Sequence, residues 1–286
     1  MQEFEQQAQA FANQIEEELQ EGRLNFPTAL DVSLRIKKLA DNPESTLDEI
    51  AAVVRAEPVL SAKVVRMANA VLLNPYGAQI TAVNEAVKRI GLSALRCLAF
   101  AVAAEQLAQD HRSREMRLVA SGLWMHTVDV AAWSYAFARH LRSVNPDTAM
   151  LAGMMVDIGQ FFLLARAADF PALEHNMARF AEFVSTWDEP VGRAVLEAFE
   201  LPETILDAFQ YEDPYGGSWP PVDLADIVFT AGLAAETPNP FDTLLGLNNR
   251  GGLLAACTAG IDKDKFSELV EAAREGRQEL ISAVVG

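Results

Sequence analysis

The sequence predicts an all-α protein. Apolar residues recur at helical spacing along most of the 286-residue chain, strand-like alternation is hard to find, and capping residues and prolines punctuate the pattern at short intervals. Half of the residues are hydrophobic and 22% are charged, enough apolar material for a sizeable core and too little charge for a disordered chain.

Residues 3–20 carry Phe4, Phe11 and Ile15 on one side and many Glu and Gln on the other, an amphipathic helix expected to pack on its own domain. Pro27-Thr28 opens a second helix with Leu30, Leu34 and Leu39. Thr46 and Glu49 have capping-box spacing ahead of Ile50, Val53 and Val54. Pro58 suits a first helical turn, and the helix it begins ends near Asn69, before the turn residues Asn74-Pro75-Tyr76-Gly77. Thr81 can cap a helix that stops at Gly91, and Ser93 one that runs to about Gln109. A charged break at 110–115 precedes helices expected at 116–142 and 147–168. Shorter ones follow at 170–185, 188–200 and 202–212. After the Pro/Gly/aromatic loop 213–221 come a helix at 222–236, a turn at 248–252, and two short helices within 262–285. No internal repeat is visible.

With 23 basic against 40 acidic residues, the formal charge is −17. Such a surface repels phosphate backbones and anionic lipid, so neither nucleic acid nor membrane is an expected partner. The polar, acidic N-terminal residues do not read as a signal peptide, and no uninterrupted apolar run approaches the roughly 20 residues that span a bilayer. Cys97 and Cys257 stand singly beside small apolar residues and read as reduced core thiols. The expected location is the cytoplasm.

Three blocks, in order, carry a resemblance. They are Leu60-Ser61-Ala62-Lys63-Val64-Val65-Arg66-Met67-Ala68-Asn69 with Tyr76-Gly77 and Ile80; Glu85-Ala86-Val87-Lys88-Arg89-Ile90-Gly91-Leu92 with Arg96; and Ala149-Met150-Leu151-Ala152-Gly153-Met154-Met155-Val156-Asp157-Ile158-Gly159. Together they resemble the HDOD (HD-related output domain) family, a branch of the HD-domain metal-dependent phosphohydrolase superfamily. The resemblance covers roughly residues 23–236. It implies a helical HD-like core with an N-terminal helical bundle, flanked here by an amphipathic helix (1–22) and a C-terminal helical extension (237–286). It also implies a bacterial regulatory role beside receiver, kinase or cyclic-dinucleotide modules. None of these is legible in this chain, so it is expected to meet its input as a separate protein or to be regulated by abundance.

An HD hydrolase holds one or two divalent metals on His and Asp side chains, and the metal lowers the pKa of bound water. By resemblance, His126 aligns with the first ligand, the His-Asp doublet falls at Val156-Asp157, and Asp226 matches the distal aspartate. Valine has no lone pair to give, and the stretches 188–192 and 210–213 supply no histidine. His126, Asp157 and Asp226 are therefore the candidate vestigial metal residues, with no catalytic residue assigned and no cofactor expected. The alternative is that they still hold Mn, Fe or another divalent metal in a divergent phosphohydrolase acting on a nucleotide or phosphodiester. Asp157 shares an apolar stripe with Met150, Gly153, Met154, Phe161 and Leu164, so it is expected to be buried and paired with His126 between two helices.

Arg89 and Arg96 are candidate phosphate contacts if they point inward. Tyr211, Tyr215 and Trp219 are candidates for a partner-docking patch or a lid over the groove beside His126. Arg112, Arg114 and Arg117 read as a solvated basic connection; His111 and His140 lie near helix ends and His175 on a polar stretch. The remaining alternative is a cavity that binds a nucleotide without turning it over. The function expected first is non-catalytic regulation through protein–protein contacts.

Overall fold

The computed structural model describes residues 2–25, 28–70, 77, 79–109, 113–199, 201, 203–209, 219–247, 261 and 263–284. These residues form helices and no strand, as the sequence predicts. The amphipathic α1 (Gln2–Glu21) lays Phe4, Phe11 and Ile15 against the body of the protein, where Phe11 stacks on Phe170 and Phe183. α2 (Thr28–Asp41), α3 (Leu47–Arg55) and α4 (Pro58–Ala68) pack around α5 (Val83–Gln109).

Thr46 and Glu49 close the expected capping box, Thr46 Oγ1 accepting from the Glu49 N–H and the Glu49 carboxylate from the Thr46 N–H. Pro58 sits in the first turn of α4. Asn69 then ends α4 and braces the chain beyond it. Its Nδ2 donates to Val65 O (2.9 Å) and Ile80 O (2.7 Å), and its Oδ1 accepts from Ile80 N (2.8 Å). α5 begins at Val83, two residues past Thr81, and is broken where expected, at Gly91 with φ +77° and ψ 169°.

The centre of the molecule is α6 (Arg114–Leu141), started by Ser113 accepting from Met116 N–H and stopped by Arg142 in the left-handed conformation. Around it pack α7 (Pro146–Met155), α11 (Leu224–Ala234), α12 (Pro240–Leu244) and α13 (Lys263–Val284). α7 lies so close to α6 that a Cβ on Gly153 would come within 2.7 Å of Ala131 Cα and of Ser134 Oγ. α8 (Ile158–Arg166) packs on α9 (Met177–Ala198), and α10 (Glu203–Leu206) with a 3-10 turn follows.

Three expected boundaries are corrected. The helix expected at 147–168 is two helices, parted by a turn at Val156-Asp157. The stretch Pro146–Asp169 is long and apolar enough to cross a membrane by length and composition, but 78% of its most apolar window is buried in the fold. The elements expected at 170–185 and 188–200 are a 3-10 turn and one long helix, α9, which runs through Pro190 after an Asn176 cap. The two short helices expected within 262–285 are the single α13.

Two buried ion pairs tie the outer helices down. Arg166 of α8 donates to both carboxylate oxygens of Glu18 on α1 (2.9 and 3.0 Å) and to Asn25 O (2.9 Å), while Asn25 donates back to Glu18. Burial alone would raise the Glu18 carboxyl pKa, but these bonds outweigh it and hold it below its ordinary value. In the second pair Arg277 of α13 donates to Asp129 of α6 at 2.8 Å and lies over the Trp133 ring.

Candidate functional site

The helix break between α7 and α8 delivers Asp157 to the middle of α6. The side chain is buried, 5% exposed. Its carboxylate accepts from Thr127 Oγ1 at Oδ2 (2.8 Å) and from Asn239 Nδ2 at Oδ1 (3.2 Å). His126, half-buried one residue before Thr127, brings Nε2 to 3.8 Å from Asp157 Oδ2, too far for a hydrogen bond. Its ring is held from the other side, where Nδ1 lies 2.7 Å from the carbonyl oxygen of Thr237. A carbonyl only accepts, so Nδ1 carries the proton, and in the neutral ring Nε2 turns a lone pair toward Asp157.

The structure places His126 and Asp157 side by side without a hydrogen bond between them. Asp157 is satisfied by a hydroxyl and an amide, and His126 by a backbone carbonyl. The Asn239 amide also donates to Gln160 Oε1 (2.9 Å), and Gln160 donates on to Asp188 Oδ2 (3.0 Å). Asp188 reaches α8 only because residue 159 is glycine; a Cβ there would lie 2.3 Å from Asp188 O. Burial pushes the Asp188 carboxyl up to about 7; its bond from Gln160 opposes the rise and the charge of Asp157 adds to it. Asp242 on α12 is raised for the same first reason and by Asp157, with His126 opposing.

Asp226 is buried in the first turn of α11, its backbone N–H accepted by Asp223 Oδ1 at 2.8 Å. Among the described residues no group of three or more His, Cys, Asp or Glu side chains is arranged to hold a metal ion. Asp226 does not complete such a set with His126 and Asp157. A resident Zn or non-haem Fe ion takes three or more protein ligands in most sites. Here two candidates are in reach of one another, and both oxygens of one already accept neutral donors. The described residues do not fit the metal that the superfamily implies.

The other candidates lie elsewhere. Arg89 is exposed on α5, and Arg96 is paired with Asp41 of α2 rather than turned inward on a phosphate. Trp219 is half-buried against the core, while Tyr211 and Tyr215 lie outside the described residues, as do Arg112, His111 and the Cys97 and Cys257 side chains. Arg114, Arg117, His140 and His175 are exposed.

With this geometry in place, the comparisons with known proteins are decisive on family. The HDOD domain family model matches residues 26–214, two thirds of the chain. The chain belongs to the HDOD family. Among solved structures, an HDOD domain protein of unknown function from Geobacter sulfurreducens is 23% identical, with a TM-score of 0.56 over 96% of this chain and 98% of that one. A protein provisionally named a metal-dependent phosphohydrolase, from Shewanella amazonensis SB2B, is 22% identical with a TM-score of 0.62 over 97% and 100%. A protein named for signal transduction, from Marinobacter aquaeolei VT8, is 18% identical with a TM-score of 0.52 over 96% and 65%. At these identities the likeness is one of fold. No curated protein matches the chain. Thr237 and Asn239, which hold His126 and Asp157, lie beyond the residues the HDOD model matches.

Proposed function

We propose that this HDOD protein is a non-catalytic signal-transduction component that acts through protein–protein contacts. The observation that supports the reading is the occupation of Asp157. Both carboxylate oxygens accept from neutral side chains, Thr127 and Asn239, and no group of three or more His, Cys, Asp or Glu side chains forms a metal-binding set around it among the described residues. Val156, where the doublet histidine would stand, adds no donor. The partners that suit the family are receiver, kinase or cyclic-dinucleotide modules carried on other chains, and the setting that suits the reading is the bacterial cytoplasm.

The test is turnover. The purified protein is assayed against nucleotides and phosphodiesters with Mg, Mn, Fe, Ni and Zn, beside Asp157→Asn. The expected result is no hydrolysis above that of the variant in any metal. Metal-dependent turnover that Asp157→Asn abolishes overturns the proposal.

One observation favours a second reading, a divergent metal-dependent phosphohydrolase. The Nδ1–H bond from His126 to Thr237 O is the outer-shell contact that usually orients a metal-binding imidazole, and it leaves Nε2 aimed inward. This reading expects near-stoichiometric Mn, Fe, Ni or Zn in the purified protein, lost in His126→Ala. Metal content below about a tenth of an equivalent after reconstitution rejects it.

A further inference from the structure

The two residues at the candidate site are held in place by a segment that is itself held from the C-terminal helix. Asp129, one turn beyond His126 on α6, is 2% exposed. Its Oδ2 accepts the backbone N–H groups of Glu236 (2.7 Å) and Thr237 (2.9 Å), and its Oδ1 accepts Nε of Arg277 from α13 (2.8 Å). Arg277 also reaches Glu236, Nη2 to Oε2 at 3.3 Å, and is 8% exposed over the Trp133 ring. The clamped residues then act on the site. The Thr237 carbonyl takes the His126 Nδ1 proton, and Asn239 donates to Asp157.

We propose that α13 is a latch on the His126–Asp157 site. Arg277 supplies the only formal positive charge bonded to the buried Asp129 carboxylate among the described residues. Without Arg277 that carboxylate has no cation, and the 236–239 segment loses both the charge pair that fixes its acceptor and the Arg277–Glu236 contact that holds it directly, so the segment is free to turn toward water. Thr237 and Asn239 move with that segment, so the imidazole loses its carbonyl and Asp157 its amide. A partner that competes for α13 thereby changes the bonding of His126 across the molecule without touching it. The latch is independent of whether the site hydrolyses anything.

The test reads the His126 ring by 15N–1H NMR, at a pH where the imidazole is neutral, in wild type, Arg277→Met and Arg139→Met. Methionine keeps the apolar stem over Trp133 and removes the charge. Arg139, whose contact with Glu279 of α13 is exposed and 3.8 Å long, controls for general loosening of that helix. The wild type is expected to show a slowly exchanging Nδ1–H and a single tautomer. In Arg277→Met that proton resonance is expected to vanish, the ring nitrogens to shift toward a tautomer mixture, and the Thr237 amide to exchange at least about tenfold faster. The buried amides of α6 and α7 stay protected, and Arg139→Met leaves the ring as in wild type. Asp129→Asn, a milder change that keeps both backbone bonds possible, should give the same loss in smaller degree. An unchanged His126 signal in Arg277→Met overturns the latch. So does a change that appears in Arg277→Met and Asp129→Asn only together with loss of α6 and α7 protection.

Discussion

Asp157, buried, and Asp188, half-buried, show opposite ways of keeping a carboxyl group away from water. Asp157 is kept by donors, so removing its oxygens strands two of them. Asp157→Ala is expected to cost about 2–4 kcal/mol in chemical denaturation, since Thr127 and Asn239 lose their acceptor in a buried place. Asp157→Asn should cost less, because an amide oxygen can still accept. Asp188 is instead held against solvent exposure, and its carboxyl rises from the ordinary 3.8 to about 7. The folded state therefore binds that proton more tightly than the unfolded chain. The associated stability is fully present below about pH 4 and is lost as pH rises through about 7. Asp188→Asn removes that dependence, so the difference in unfolding free energy between wild type and variant is expected to fall from pH 4 to pH 8. A difference flat in pH would show Asp188 to be ionised like a surface acid. His126 and Asp157 were legible in the sequence as a chemical pair. Thr127, Gln160 and Asn239 were not, because neutral amides and hydroxyls carry no metal-site pattern, and Asp242 is one acid among many in the sequence. They meet only when α6, the α7–α8 turn and the 236–242 segment come together. The one available signal for Asp188 was an acid placed two residues before a proline inside an apolar-striped helix.

The elements that the sequence announced correctly are those marked by local chemistry. The Thr46–Glu49 box, Pro58 and Gly91 each act within one turn of the backbone, so no tertiary contact is needed to read them. Gly91 can be tested directly. With φ +77° and ψ 169° it occupies a region essentially closed to L side chains, although a Cβ there would meet open space. Gly91→Ala is expected to cost about 1–3 kcal/mol through backbone conformation alone, checked by urea denaturation. Where tertiary packing overrides local chemistry, the reading failed. The α7–α8 break at Val156-Asp157 is invisible because the apolar stripe continues across it, and the buried polar partners of Asp157 reward the turn. A break was expected between 185 and 188, but α9 runs through it and through Pro190, packed on α8, α12 and α1, whose contacts outweigh one lost backbone bond.

At the scale of the whole molecule the central α6 gathers its neighbours while α1 and α13, the first and last helices, are each fastened by one buried arginine. The fold class and the identity of the buried face of α1 followed from periodicity. The two fastenings did not, since Glu18 and Arg166, like Asp129 and Arg277, stand 148 residues apart and nothing local pairs them. Breaking the first, as Arg166→Met, leaves Glu18 buried without its cation and is expected to cost about 3–5 kcal/mol. That separation also has a kinetic meaning. A contact between points so distant along the chain carries a large loop-closure entropy unless the helices between them have already assembled, so it is expected to close after the rate-limiting step of folding. Nearly all of the loss in Arg166→Met should therefore appear in the unfolding arm of the chevron, with refolding close to the wild-type rate. On that expectation the clasp sets how long the assembled protein lasts, and not how fast it is made.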